Sequence, residues 1–207
     1  MLQALIFDFD GLIIDSEITV LISWQELYRE YGHELPVADW LRSIGTAYSR
    51  ESFDPYADLE ARLGHSLDWE TVDKRRYQRE LELVRLQPIL PGVTRLIAEA
   101  EAAGVRLAIG SSSDRQWVDG HLRRLGLYDH FDAIICADDV ARVKPEPDLF
   151  LKAAEAVGAP PKAVIVLEDS PHGAAAARYA GMFCVIVPNK LTRRMNFSAA
   201  DMLVNSL

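Results

Sequence analysis

Two aspartates one residue apart, Asp8 and Asp10, close the first apolar run, ALIF, and Gly11 follows at once. Three further sets of reactive residues stand downstream: GSSSD at 110–114, VKPEPD at 143–148 and LEDSPHG at 167–173. Asp8, Asp10, Glu168 and Asp169 are hard oxygen ligands. Gathered in one place, such carboxylates repel one another unless a cation or protons intervene. Mg2+ takes one or two carboxylates together with waters and phosphate oxygens, which suits this set. Ser111, Ser112 and Ser113 lie between a strand and a helix beginning near Asp114, where hydroxyls and backbone N–H groups can hold a phosphate. Lys144 brings positive charge to a transferring phosphoryl group. A carboxylate can attack and form an aspartyl-phosphate. A second carboxyl two residues on can protonate the leaving oxygen and then deprotonate water.

Taken singly, each signal is weak. A DxD is common, a serine turn usually caps a helix, and VKPEPD by itself reads as a solvated turn. LEDS after an apolar run also reads as a helix N-cap whose acids favour the dipole. Their common placement separates chemistry from coincidence. Each stands at the end of an apolar run or in the loop after it. Such runs occur at LQALIF (2–7), VRLAIG (105–110), FDAIIC (131–136), AVIVLE (163–168) and FCVIVP (183–188). Near-continuous apolar strands belong to a parallel sheet covered on both faces. Helical patterns separate them, such as Val93, Leu96, Ile97 and Ala100, or Leu149, Phe150, Ala153, Ala154 and Val157. Gly104, Gly126, Gly158 and Gly181 close these helices. The expected fold is α/β, a Rossmann-like parallel-sheet core, and ligands of such sheets bind beyond the strand C-termini.

Residues 15–89 break this rhythm. They carry three of the four tryptophans and show no strand pattern. Val20, Trp24, Leu27 and Tyr31 are spaced as one helix face, and Asp68 caps a polar helix over 69–86. QPILPG (87–92) reads as a return linker. The expected division is a core of 1–14 and 90–207 with a helical insert at 15–89.

Composition narrows the function class. The 207 residues are 49% hydrophobic and 26% charged, with net charge −9. An acidic surface argues against nucleic acid or an anionic membrane as partner. Cys136 and Cys184 lie in apolar runs without CxxC spacing and read as buried reduced thiols. The N-terminus lacks a signal-peptide pattern and no run reaches the ~20 apolar residues of a membrane helix. A cytoplasmic protein, expected to be monomeric, is the reading.

With these four segments, the chain resembles the haloacid-dehalogenase-like superfamily of phosphatases, and within it the β-phosphoglucomutase-like branch. DFDGLIIDSE matches the family's opening DxDGxxxDSE, GSSS its phosphate-holding serine motif, KPEPDLF its lysine motif and LEDSPHG its acidic motif. The resemblance implies Asp8 as nucleophile and Asp10 as general acid/base. It implies Ser111 and Lys144 as phosphate ligands, to which Phe9, Ser112 and Arg50 are added as substrate-binding candidates. It implies Mg2+ held by Asp8, the Asp10 carbonyl and Asp169, with Glu168 in the metal site or just behind it. The insert would be a helical cap that closes over the site. The expected activity is Mg2+-dependent hydrolysis of small phosphorylated metabolites, with a sugar phosphomutase as the alternative. The mutase has a cap histidine twelve residues after its nucleophile; this chain has Val20 there. GTAYSRESF (45–53) resembles the substrate loop of the cap, with different spacing, and its Arg50 suits a distal phosphate.

Overall fold

The computed structural model describes residues 1–42 and 53–207. Arg50 and all of the GTAYSRESF loop except Phe53 lie outside the described residues. The strands in chain order are β1 (Ala4–Phe7), β2 (Arg106–Gly110), β3 (Ala133–Ile135), β4 (Val164–Glu168), β5 (Phe183–Ile186) and β6 (Met202–Leu203). The described α-helices are α1 (Ser16–Glu30), α2 (Val37–Trp40), α3 (Pro55–Leu63), α4 (Trp69–Arg85), α5 (Val93–Ala102), α6 (Arg115–Leu125), α7 (Asp148–Ala156) and α8 (Pro171–Tyr179). The chain divides into two units, Met1–Ile14 with Pro88–Leu207, and Asp15–Gln87.

The first unit is α/β. All six strands pair in parallel in the order β3-β2-β1-β4-β5-β6. β1 is the central strand, and Ala4, Leu5, Ile6 and Phe7 are all buried. That is why its sequence is continuously apolar and not alternating. Ala4 and Ile6 join Val164, Val166, Cys184 and Ile186 and the apolar stripes of α7 and α8 in one core cluster. Alternation along a strand turns Leu5 and Phe7 the other way, and Phe7 meets Phe131 edge-on at 5.7 Å. Gly110 ends β2 where the Phe150 ring leaves no room: a Cβ there would stand 2.9 Å from it. The register aligns Phe7 with both Ile109 and Leu167. The next residue, Asp8, donates its N–H to the Leu167 carbonyl at 2.9 Å. The chain runs from β1 to β2 and β3 on one side and then crosses to β4 and β5 on the other. This is the switch point where open α/β sheets bind ligands.

The regular elements among the described residues of the second unit are all helices. Asp15, Asp54 and Asp68 cap α1, α3 and α4. Trp24 packs against Tyr56 (4.7 Å) and Trp69 (6.2 Å). The apolar face of α1 differs from the expected one. Leu21, Trp24, Leu27 and Tyr28 are buried, whereas Val20 and Tyr31 are half-exposed. Tyr28 takes the inner place because its hydroxyl finds partners there, donating to the Pro55 carbonyl and to Asp58. α4 is less solvated than its composition suggests. Arg76 is buried, bonded to Glu80 (2.6 Å), Asp73 (2.7 Å) and Ser23 (3.0 Å), with its guanidinium over the Trp24 ring. Among the described residues no helix is long and apolar enough to cross a membrane.

Candidate active site

The four strand-end segments meet at the C-terminal edge of the sheet. Asp8 leaves β1 and is 6% exposed. Lys144, from the loop ahead of α7, is 8% exposed and donates to Asp8 Oδ1 at 2.5 Å and to Glu168 Oε1 at 2.7 Å. Its ammonium also lies 4.9 Å from the centre of the Phe150 ring. Glu168 ends β4 and is fully buried. Its other oxygen accepts from the backbone N–H groups of Asp169 and Ser170, each at 2.8 Å, and from the Ser170 hydroxyl at 2.9 Å. This gathering of donors is the helix N-terminus of α8, with Ser170 as its cap. Gly173 makes the space, since a Cβ there would stand 1.8 Å from the Glu168 carboxylate.

Asp8, Glu168 and Asp169 each offer a carboxylate oxygen, all within 4.8 Å of one another. Three buried carboxylates face one lysine ammonium. The Asp8 carboxyl is pushed up to about 8, chiefly by burial; Lys144 opposes the rise, and Glu168 and Asp10 add to it. Burial disfavours the charge on Lys144 as well, but Asp8 and Glu168 together hold its ammonium above the ordinary lysine range. The surplus of negative charge, made of hard oxygen atoms, fits a divalent cation.

Asp10 stands apart from that cluster. The chain turns sharply after it, with the Gly11 N–H on the Ile14 carbonyl (2.8 Å) and the Ile13 N–H on the Phe9 carbonyl (2.9 Å). Gly11 is needed twice over: its φ is +81°, and a Cβ would stand 2.3 Å from Asp169 Oδ2. The Asp10 carboxylate accepts from the Ser113 hydroxyl at 2.5 Å and from the Trp117 indole N–H at 3.0 Å. Ser111 is 1% exposed, its N–H on the Ile135 carbonyl and its oxygen accepting from the Ser113 N–H at 3.0 Å. Ser112 is exposed. The Phe9 ring is fully buried against His121, so only its backbone faces the ligand edge.

Two residues escape sequence reasoning. Asn189, in the turn after β5, donates its side-chain amide to Asp169 Oδ2 at 2.6 Å. Its own oxygen is fixed by the N–H groups of Leu191 and Thr192. Trp117 is the other. A tryptophan three residues after a capping aspartate, in the first turn of the helix following GSSS, is the one local signal for it. His172 is a helix-start residue with its Nε2 buried and without a hydrogen-bond partner. Burial pulls its pKa below the usual histidine value.

The profile of haloacid dehalogenase-like hydrolases matches residues 5–187. The chain belongs to this family. It is an enzyme, a phosphoric monoester hydrolase of that family, in its β-phosphoglucomutase-like branch. It is 42% identical over 207 residues to "Putative phosphatase YhcW" of Bacillus subtilis, covering 100% of this chain and 93% of that one. It is 28% identical over 188 residues to the β-phosphoglucomutase of the same organism, covering 89% of this chain and 82% of the relative. The crystal structure of CbbY from Rhodobacter sphaeroides in complex with phosphate superposes with a TM-score of 0.77 at 29% identity, over 100% of this chain and 95% of that one.

Proposed function

We propose that this protein hydrolyses the phosphate monoesters of small metabolites, sugar phosphates foremost, with Mg2+ and through an aspartyl-phosphate on Asp8. The observation that carries this reading is the contact of Asp8 with Lys144 beside Glu168 and Asp169. Asp8, the Lys144 ammonium and two further carboxylates that would serve the metal lie together beside the ends of β1 and β4, which supports the reading. Asp8 Oδ attacks phosphorus, and the bond from phosphorus to the ester oxygen breaks. Asp10 gives that oxygen its proton and then takes one from the water that cleaves the acyl phosphate. Ser111 accepts from the Ser113 N–H, and its hydroxyl would donate to a phosphoryl oxygen. Lys144 balances the charge on the same group. Asp8, Asp169 and the Asp10 carbonyl would hold Mg2+, which would supply positive charge against the phosphoryl oxygens. Glu168 holds Lys144, and its second oxygen is filled by three protein donors.

Hydrolysis is favoured over phosphoryl transfer within one sugar by Val20. A mutase must keep water from the acyl phosphate until its sugar has turned over, and a polar cap group does this in the resembling enzyme. The Val20 side chain has no hydrogen-bonding atom. The helical unit, entered after Ile14 and left before Pro88, takes the role of the cap that chooses substrate. The test is a panel of phosphorylated metabolites with Mg2+, followed by released phosphate, with Asp8→Asn as control. It includes β-glucose 1-phosphate with a trace of glucose 1,6-bisphosphate. Phosphate release that Asp8→Asn abolishes supports the reading. Glucose 6-phosphate forming faster than free phosphate makes the enzyme a mutase.

A further inference from the structure

We propose that Trp117, together with Ser113, is the positioning residue that aims the Asp10 carboxylate for its proton transfers. The inference rests on the reading of Asp10 as general acid/base. A general acid works only when its oxygen is held within hydrogen-bond reach of the leaving group. Asp10 hangs from a turn beyond the last residue of β1, where its side chain is half-buried. Each of its oxygens nevertheless has a fixed donor: Trp117 Nε1 on Oδ1 and Ser113 Oγ on Oδ2. Trp117 lies in the first turn of α6 and Ser113 in the loop just before its cap, 107 and 103 positions along the chain.

The donors are themselves fixed. The Trp117 backbone N–H is tied to the capping carboxylate of Asp114 at 2.8 Å. Its indole meets the His121 ring edge-on, with centroids 4.5 Å apart. His121, one turn on and 8% exposed, stacks on the Phe9 ring at 6.2 Å. Phe9 lies between Asp8 and Asp10. The contacts therefore close a ring from Phe9 through His121 and Trp117 to Asp10 and back along the chain. An indole nitrogen donates and never accepts. It grips a carboxylate oxygen while leaving the proton traffic to Asp10. Ser113 links the same grip to Ser111 through its own N–H. Trp117 touches no reacting atom in this scheme and acts through Asp10 alone.

Trp117→Phe keeps the ring packing on His121 and deletes only the donor. The readout is kcat/KM for two kinds of substrate. An alkyl phosphate needs its leaving oxygen protonated, whereas 2,4-dinitrophenyl phosphate does not. A positioned acid is worth ~10²–10⁴-fold. Asp10→Asn should therefore cut the alkyl substrate by that order and the dinitrophenyl ester far less. Trp117→Phe should cut the alkyl substrate about tenfold or more with the same selectivity, and should cost nothing further in the Asp10→Asn background. Ser113→Ala should show the same pattern more weakly. Independently of turnover, Asp10→Asn should change tryptophan emission in the wild-type protein but not in Trp117→Phe. Equal loss on both substrates, or an added loss in the double variant, makes Trp117 merely structural and overturns the proposal. If Asp10→Asn itself shows no leaving-group dependence, the acid/base reading of Asp10 has failed, and this inference falls with it.

Discussion

Replacing Lys144 by Met exposes the electrostatic frame of the site. The side chain keeps a similar length but loses the ammonium, so Asp8 and Glu168 lose their shared counter-charge inside the protein. All three groups are nearly solvent-free, at 8%, 6% and 0% exposed. Removing one partner of a buried ion pair costs ~3–5 kcal/mol, because the charge left behind is uncompensated. The two charge-assisted bonds that disappear, at 2.5 and 2.7 Å, give a similar figure at ~1.5–3 kcal/mol each. For a chain of this length each kcal/mol shifts Tm by ~2–4 °C, so the melt in EDTA should fall by ~6–20 °C. A divalent cation restores positive charge to the same carboxylates. Mg2+ should therefore raise the Tm of the variant by more than it raises that of the wild type. Calorimetric melts in EDTA and in saturating Mg2+ read both effects. A fall below ~3 °C in EDTA, or equal stabilisation of both proteins by Mg2+, would mean that Lys144 is not the counter-charge of these carboxylates.

Asn189→Leu removes the donor that fixes Asp169 Oδ2 and should weaken Mg2+ binding ~10–100-fold by titration calorimetry, as loss of a ligand's supporting partner does; unchanged affinity would leave Asn189 a loop staple. Gly173→Ala must push the Glu168 carboxylate off its four donors; losing even one charge-assisted bond puts the expected cost at ~2 kcal/mol or more in urea unfolding, and a neutral substitution would contradict the close packing there. Burial pushes the thiols of Cys136 and Cys184 up to about 12. A pKa raised above the unfolded value gives stability that is complete below the ordinary thiol pKa and is lost as pH climbs through the folded one, so urea midpoints should fall between about pH 9 and 12. A shallower alkaline fall in the double serine variant than in the wild type is the check, since the raised Lys144 ammonium still titrates in both.

Much of the core was legible because buried parallel strands are written as unbroken apolar runs. β1, β2, β4 and β5 each lie within such a run, and Asp68 and Asp114 announce their helices by capping them. β6 was not legible: Met202 and Leu203 are two exposed residues whose pairing depends on the neighbouring strand. The buried face of α1 keeps Trp24 and Leu27 but takes Leu21 and Tyr28 in place of Val20 and Tyr31, and Tyr28 gains hydrogen bonds that periodicity does not encode. In the candidate site, residue type singled out Asp8, Lys144, Glu168 and Asp169 only through their common placement at or after apolar runs, since each segment alone has an ordinary reading. Their contacts were not legible, for Lys144 meets Asp8 across 136 positions. Trp117 and Asn189 carry no chemical label of their own. Each becomes part of the site only through one hydrogen bond that the fold brings about.

The covalent step at Asp8 can be trapped directly. Enzyme mixed with a 32P-labelled phosphomonoester and quenched in acid within one turnover should carry label on the peptide containing Asp8. That label should be stable to acid, released by hydroxylamine as an acyl phosphate is, and missing from Asp8→Asn. Label on another residue, or a burst of product with no labelled enzyme, would contradict the account.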